Sequence, residues 1–90
     1  MRYTVLWVPG AERELAALWL DEAVRRQITD AASHIDRRLR DDPERQGESR
    51  PTGRRILFEM PLAVTFKVFP EDRIVRVLEV WRFTKQKGGN

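Results

Sequence analysis

Hydrophobic and polar residues along this chain follow two periods, and the change from one to the other divides it into elements. Residues 2–8, Arg-Tyr-Thr-Val-Leu-Trp-Val, are β-branched and aromatic with a period near two, which predicts a strand stopped by Pro9-Gly10. Ala11, Leu15, Leu18 and Trp19 then recur at helical spacing on one face. Pro9 and Glu12 suit the start of that helix, where a missing N–H is harmless and negative charge is favoured. The strongest periodic signal follows: Val24, Ile28, Ala31, Ile35 and Leu39 form one apolar stripe, with Arg25, Arg26, Asp30, Arg37 and Asp41 opposite. Asp21 offers a cap for this second helix and Pro43 ends it, because the residue before a proline disfavours helical geometry. The two helices are expected to form an antiparallel hairpin around Leu20-Asp21.

Residues 43–53 have loop chemistry, long for a connection in so short a chain and rich in charge. Three strands are predicted next, over 54–60, 62–69 and 73–83, separated by turns at Pro61 and at Pro70-Glu71-Asp72. The last residues, 85–90, are polar and Gly-rich and read as a flexible tail behind one domain over 1–84. The fold class is therefore α+β with the order β-α-α-β-β-β. An antiparallel meander, joined by the first strand, packs on the helix hairpin. Alternation assigns Leu62, Val64, Phe66 and Val68 to the helix-covered face and Ala63, Thr65, Lys67 and Phe69 to the open one. In the last strand the apolar set slips from Val75 and Val77 to Leu78 and Val80, which either a bulge near Val77-Leu78 or burial of the strand on both faces would explain. The open face should carry Lys67 and some of Arg54, Arg55, Arg76 and Arg82.

Composition narrows the chemistry. Hydrophobic residues make up 41% and charged residues 34% of the 90, an ordinary globular balance. No cysteine is present, so disulfides, thiol nucleophiles and cysteine metal sites are excluded. One histidine, His34, leaves no basis for a histidine metal centre or a Ser-His-Asp triad. No metal or organic cofactor is implied. The N-terminal residues lack the apolar core of a signal peptide, no apolar run reaches membrane-spanning length, and the expected compartment is the cytoplasm without a membrane partner. The net charge of +3 is unevenly spread. Residues 1–48 carry 8 basic and 10 acidic side chains, whereas residues 49–90 carry 9 basic and 4 acidic ones. Of the 17 cations 14 are Arg, whose planar fork suits phosphate or carboxylate. A GC-rich genome would raise the Arg count as well, but it would not gather the cations in one half.

Taken in order, these segments resemble the RelE/ParE superfamily of toxins from type II toxin–antitoxin modules. The resemblance runs over about residues 3–83. It rests on Trp7-Val8-Pro9 with Ala11 and Leu15, on Leu39, Pro43 and Gly47 at the end of the second helix, and on Gly53-x-Arg55-x-Leu57. Val64-Thr65-Phe66-Lys67-Val68 and Val75-Arg76-Val77-Leu78-Glu79-Val80-Trp81-Arg82 complete it. The resemblance implies a growth inhibitor neutralised by a cognate antitoxin. Its target would be DNA gyrase, as in ParE-like members, or mRNA in the ribosomal decoding site, as in RelE-like members. An inert interaction module is a third possibility.

Ribonucleolytic members need acid/base chemistry and positive charge on the open face. Here Arg55 and Arg82 match the family's arginine positions, whereas its third-strand arginine falls at Ala63 and its C-terminal tyrosine is missing. Glu48, helped by Arg50, is left as the proton acceptor, or else forms an ion pair that orders the long loop. The expected catalytic set is thus Glu48, Arg50, Arg55 and Arg82, with Arg54, Arg55, Lys67 and Arg76 on phosphate. Because that set is incomplete, the sequence tilts the target slightly toward gyrase. Trp19, Leu20, Trp81 and Phe83 are the expected antitoxin contacts. His34 reads as a helix-surface residue, and the tryptophans as core or contact residues.

Overall fold

The computed structural model describes residues 2–83, so the predicted tail at 85–90 lies outside the described residues. Strand β1 (Thr4–Trp7) leads directly into helix α1 (Pro9–Trp19), where Pro9 occupies the first turn. Helix α2 (Arg25–Asp41) buries Ile28, Ala31, Ile35 and Leu39, four of the five stripe residues. Each such aliphatic side chain contributes on the order of 1.5–3 kcal/mol by leaving water. Asp21 does not cap α2. Its carboxylate accepts the Ala23 N–H at 3.0 Å in the turn before the helix, which begins four residues later than Asp21. The cause is that residues 21–24 form a turn of their own, with the Val24 N–H donating to the Asp21 carbonyl. Pro43 stops α2 as expected and starts a short 3₁₀ turn, Pro43–Arg45.

The long loop is not irregular throughout. It contains a two-residue strand, β2 (Glu48–Ser49), and a second 3₁₀ turn, Pro51–Gly53. The meander follows as β3 (Arg55–Glu59), β4 (Leu62–Phe69) and β5 (Ile74–Arg82). The sheet order is β1-β5-β4-β3-β2, with β1 parallel to β5 and all other pairs antiparallel. The sheet is thus mixed, a meander with a parallel strand at one edge. The helices cover one face. Phe66, Leu62, Val64, Val75 and Val77 from the sheet meet the α2 stripe there, and none of the five is solvent-exposed. Val5 and Trp7 from β1, with Tyr3 just before it, pack against this core.

The predicted slip in β5 is a bulge. Thr65 is opposite Glu79 and Phe66 is opposite Val77, so Leu78 is an extra residue without a partner on β4. Ala63 lies on the open face, as alternation predicts, in register with Phe58 and Trp81. It is nevertheless fully buried, because its methyl lies between those two large side chains. No helix among the described residues is long and apolar enough to cross a membrane.

Candidate functional site

Residues directly opposite on neighbouring strands project to the same face, so the register decides which cations share a surface. Lys67 on β4 is opposite Arg76 on β5. Continuing the β3–β4 register one residue beyond Arg55↔Phe66 sets Arg54, which has extended geometry, beside Lys67. Lys67 and Arg76 therefore pair across two strands of the open face, and Arg54, the extended residue just before β3, takes the same face by alternation with Arg55, so the three line up over about 10 Å at ordinary strand spacing. All three are exposed, and among the described residues none enters an ion pair. The Phe69 ring lies 5.6 Å from the Lys67 Nζ and 5.5 Å from the Arg76 Cζ, so two of the cations rest against one aromatic face.

The next row on the same face is Glu48–Ile56–Thr65–Glu79. Glu48 sits at its outer end, on the edge strand, and pairs with Arg50 at 3.3 Å. At the inner end the Thr65 Oγ1 donates to the Glu79 Oε1 at 2.9 Å. Beyond this row the face turns apolar, with Phe58, Ala63 and Trp81 in register and the Phe83 ring edge-on to Phe58 at 5.1 Å. Phe58 and Met60 are exposed there.

Two residues expected on this face lie on the other. Arg55 is opposite Phe66, a core residue, and is therefore on the helix-covered side. Its Nε donates to the Gln46 carbonyl at 2.8 Å and its Nη2 to the Gly47 carbonyl at 3.2 Å, tying the long loop to the sheet. Arg82 is opposite Leu62, also a core residue, and its Nη1 reaches Asp21 at 3.4 Å in the turn between the helices. The phase of a strand relative to the core is set by pairing: the uninterrupted β3–β4 register puts Arg55 with Phe66, and the bulge at Leu78 reverses the phase of β5 for Arg82 after it. Glu79 is the reverse case: sequence reasoning passed over it, yet the bulge turns it onto the open face. The signal that could have found it was the slip itself.

The other expected residues are dispersed. Trp19, 43% exposed at the end of α1, donates its indole N–H to the Thr29 hydroxyl at 3.0 Å and carries the Arg25 guanidinium 4.1 Å over its ring. Leu20 beside it is 71% exposed. Trp81 and Phe83 belong to the apolar end of the open face. His34 lies on the exposed side of α2, 3.4 Å from Glu59, which also accepts from Arg38 at 2.8 Å.

No family model matches the chain, and no curated protein does. Solved structures do. A chain of the toxin–antitoxin complex RelBE2 from Mycobacterium tuberculosis superposes with a TM-score of 0.79 at 20% identity, over 94% of this chain and 95% of that one. The two share one fold. A chain of the chromosomal ParDE toxin–antitoxin system from P. aeruginosa superposes with a TM-score of 0.64 at 19% identity, over 92% of this chain and 98% of that one. The α+β architecture expected from the pattern of elements is thus one that chains of toxin–antitoxin complexes adopt over nearly their whole length.

Proposed function

We propose that this chain is the toxin of a type II toxin–antitoxin pair, a growth inhibitor held silent by a cognate antitoxin. The fold supports this reading, together with the ordered motifs from Trp7 to Arg82. For the mode of action, the open face supports cleavage of ribosome-bound mRNA over the gyrase target that the sequence slightly favoured. The observation that carries it is the row Arg54–Lys67–Arg76. Like charges placed directly opposite one another destabilise a sheet. A row of three, with no carboxylate partner among the described residues, is what a phosphodiester backbone needs and what a folded sheet alone does not. The apolar end, with Trp81 and Phe83, is the part of this face suited to the antitoxin.

A second reading, inhibition of DNA gyrase by binding, is favoured by a different observation. Arg55 and Arg82, two of the four residues expected to do chemistry, have their guanidinium groups engaged on the helix side.

The test is expression of the full chain with and without Lys67→Ala plus Arg76→Ala, while mapping mRNA 5′ ends and plasmid supercoiling. Codon-phased cuts that vanish in the double variant are the expected result. Growth arrest with intact mRNA and altered supercoiling would replace the nuclease by the gyrase inhibitor. Folded protein with no growth defect would leave only an interaction module.

A further inference from the structure

The open face carries a carboxylate that simple alternation along β5 would have hidden. Arg76 projects to that face and Val77 to the core. With no inserted residue, Leu78 and Val80 would take the next open-face positions and Glu79 would point at the helices. The extra residue at Leu78 resets the pairing, so that Glu79 stands opposite Thr65 and Val80 is buried. Bulges of this kind recur where a side chain must be re-aimed. Here the re-aimed side chain arrives one row from Lys67 and Arg76, about 7 Å away along the strands. It is exposed, and it also borders a groove of about 490 Å³ between the end of β5 and α1, which Gly10, Ala11 and Glu14 line and Lys67 and Arg76 do not.

We propose that Glu79 is the general base of the ribonucleolytic reading, with Thr65 as its positioning residue; this rests on that reading. Glu79 accepts the proton of an RNA 2′-hydroxyl. The 2′-oxygen then bonds to the adjacent phosphorus as the P–O5′ bond breaks. The Lys67 ammonium passes a proton to the departing 5′-oxygen, and Arg54 and Arg76 hold the charge on the non-bridging oxygens. The products are a 2′,3′-cyclic phosphate and a 5′-hydroxyl, with the proton returned from Glu79 to Lys67 through water. Glu48 is less suited to this role, since Arg50 already engages its charge and Ile56 separates it from Thr65. The Thr65 hydroxyl donates to one Glu79 oxygen and fixes the orientation of the carboxylate. Of the charged groups around Glu79, Glu14 from α1 lines the same groove, and Lys67 and Arg76 lie one row away on the sheet.

The deciding experiment compares the full chain with Glu79→Gln, Thr65→Val, Thr65→Ser and Glu48→Gln. It measures cleavage of mRNA on programmed ribosomes against pH, and separately the binding of a short single-stranded RNA. Glu79→Gln should lower the cleavage rate by about 10²–10⁴-fold, remove the acid limb of the pH profile and leave RNA affinity within about twofold. Thr65→Val should lower the cleavage rate with RNA affinity within about twofold, and Thr65→Ser, which keeps the hydroxyl, should restore it, a rescue that a purely structural role would not produce. If Glu79→Gln cuts at the parent rate, or if Glu48→Gln alone abolishes cutting, Glu79 is not the base although the nuclease reading stands. If the parent chain binds RNA and programmed ribosomes yet leaves mRNA intact, the nuclease reading fails and the role of Glu79 fails with it.

Discussion

Lys67 and Arg76 face each other directly across two antiparallel strands, with the Phe69 ring under both charges. Arg54 continues the row on the far side of Lys67. This juxtaposition opposes folding, so replacing its middle member should help folding while harming binding. Lys67→Glu would put a carboxylate between two guanidinium groups. We expect the urea midpoint to rise by the equivalent of about 0.2–1 kcal/mol and single-stranded RNA affinity to collapse. A variant that is both less stable and unable to bind would show instead that Lys67 is a structural residue.

The same row sets a salt dependence. Three cations neutralising three phosphates of a single strand give a slope of about −2 for log affinity against log salt. Lys67→Ala should reduce it to about −1.4, with little change between RNA sequences. Fluorescence anisotropy from low to physiological salt checks both values. A flat salt response would mean that the face does not grip a phosphate backbone.

Arg55 joins the sheet to the loop through the carbonyls of Gln46 and Gly47. Arg55→Ala should therefore cost about 1–3 kcal/mol in denaturant unfolding while RNA affinity changes by less than about twofold. Arg82 makes one exposed ion pair with Asp21, and its loss should cost under about 1 kcal/mol. A large loss of RNA affinity in a folded Arg55→Ala protein would return that residue to the binding surface.

Gly47 sits at φ +67, and a Cβ there would run into the backbone carbonyl of Ile56. Left-handed geometry costs a non-glycine residue on the order of 1–2 kcal/mol before any clash is counted. With the added displacement of β2 from β3, Gly47→Ala should destabilise the fold by about 3 kcal/mol. A thermal or chemical melt decides this, and an unchanged midpoint would mean that the loop is not held against the sheet.

The apolar stripe from Val24 to Leu39 needed only helical spacing to be read, and it located the body of α2, although the expected cap at Asp21 set its start three residues too early. The meander was legible from alternation punctuated by Pro61 and Pro70, and the bulge from the slip at Val77-Leu78. These are local properties, because period and turn chemistry act over a few residues. By contrast, β1 lies parallel to β5 at the sheet edge, and a two-residue strand appears inside what reads as a loop. Both come from pairing across more than fifty residues for β1 and from the packing of Gly47 against Ile56 for β2.

The candidate site divides in the same way. The sequence by itself determined that cations gather in the second half and that Lys67 and Phe69 share the open face. Only the tertiary structure decided that Arg54 and Arg76 join Lys67 while Arg55 and Arg82 turn to the helices, and that Glu79 comes to the surface beside Thr65. Alternation says that neighbouring residues take opposite faces, but not which face is which once a residue is inserted. That choice is made by inter-strand register, which one unpaired leucine reverses for Glu79 and Arg82.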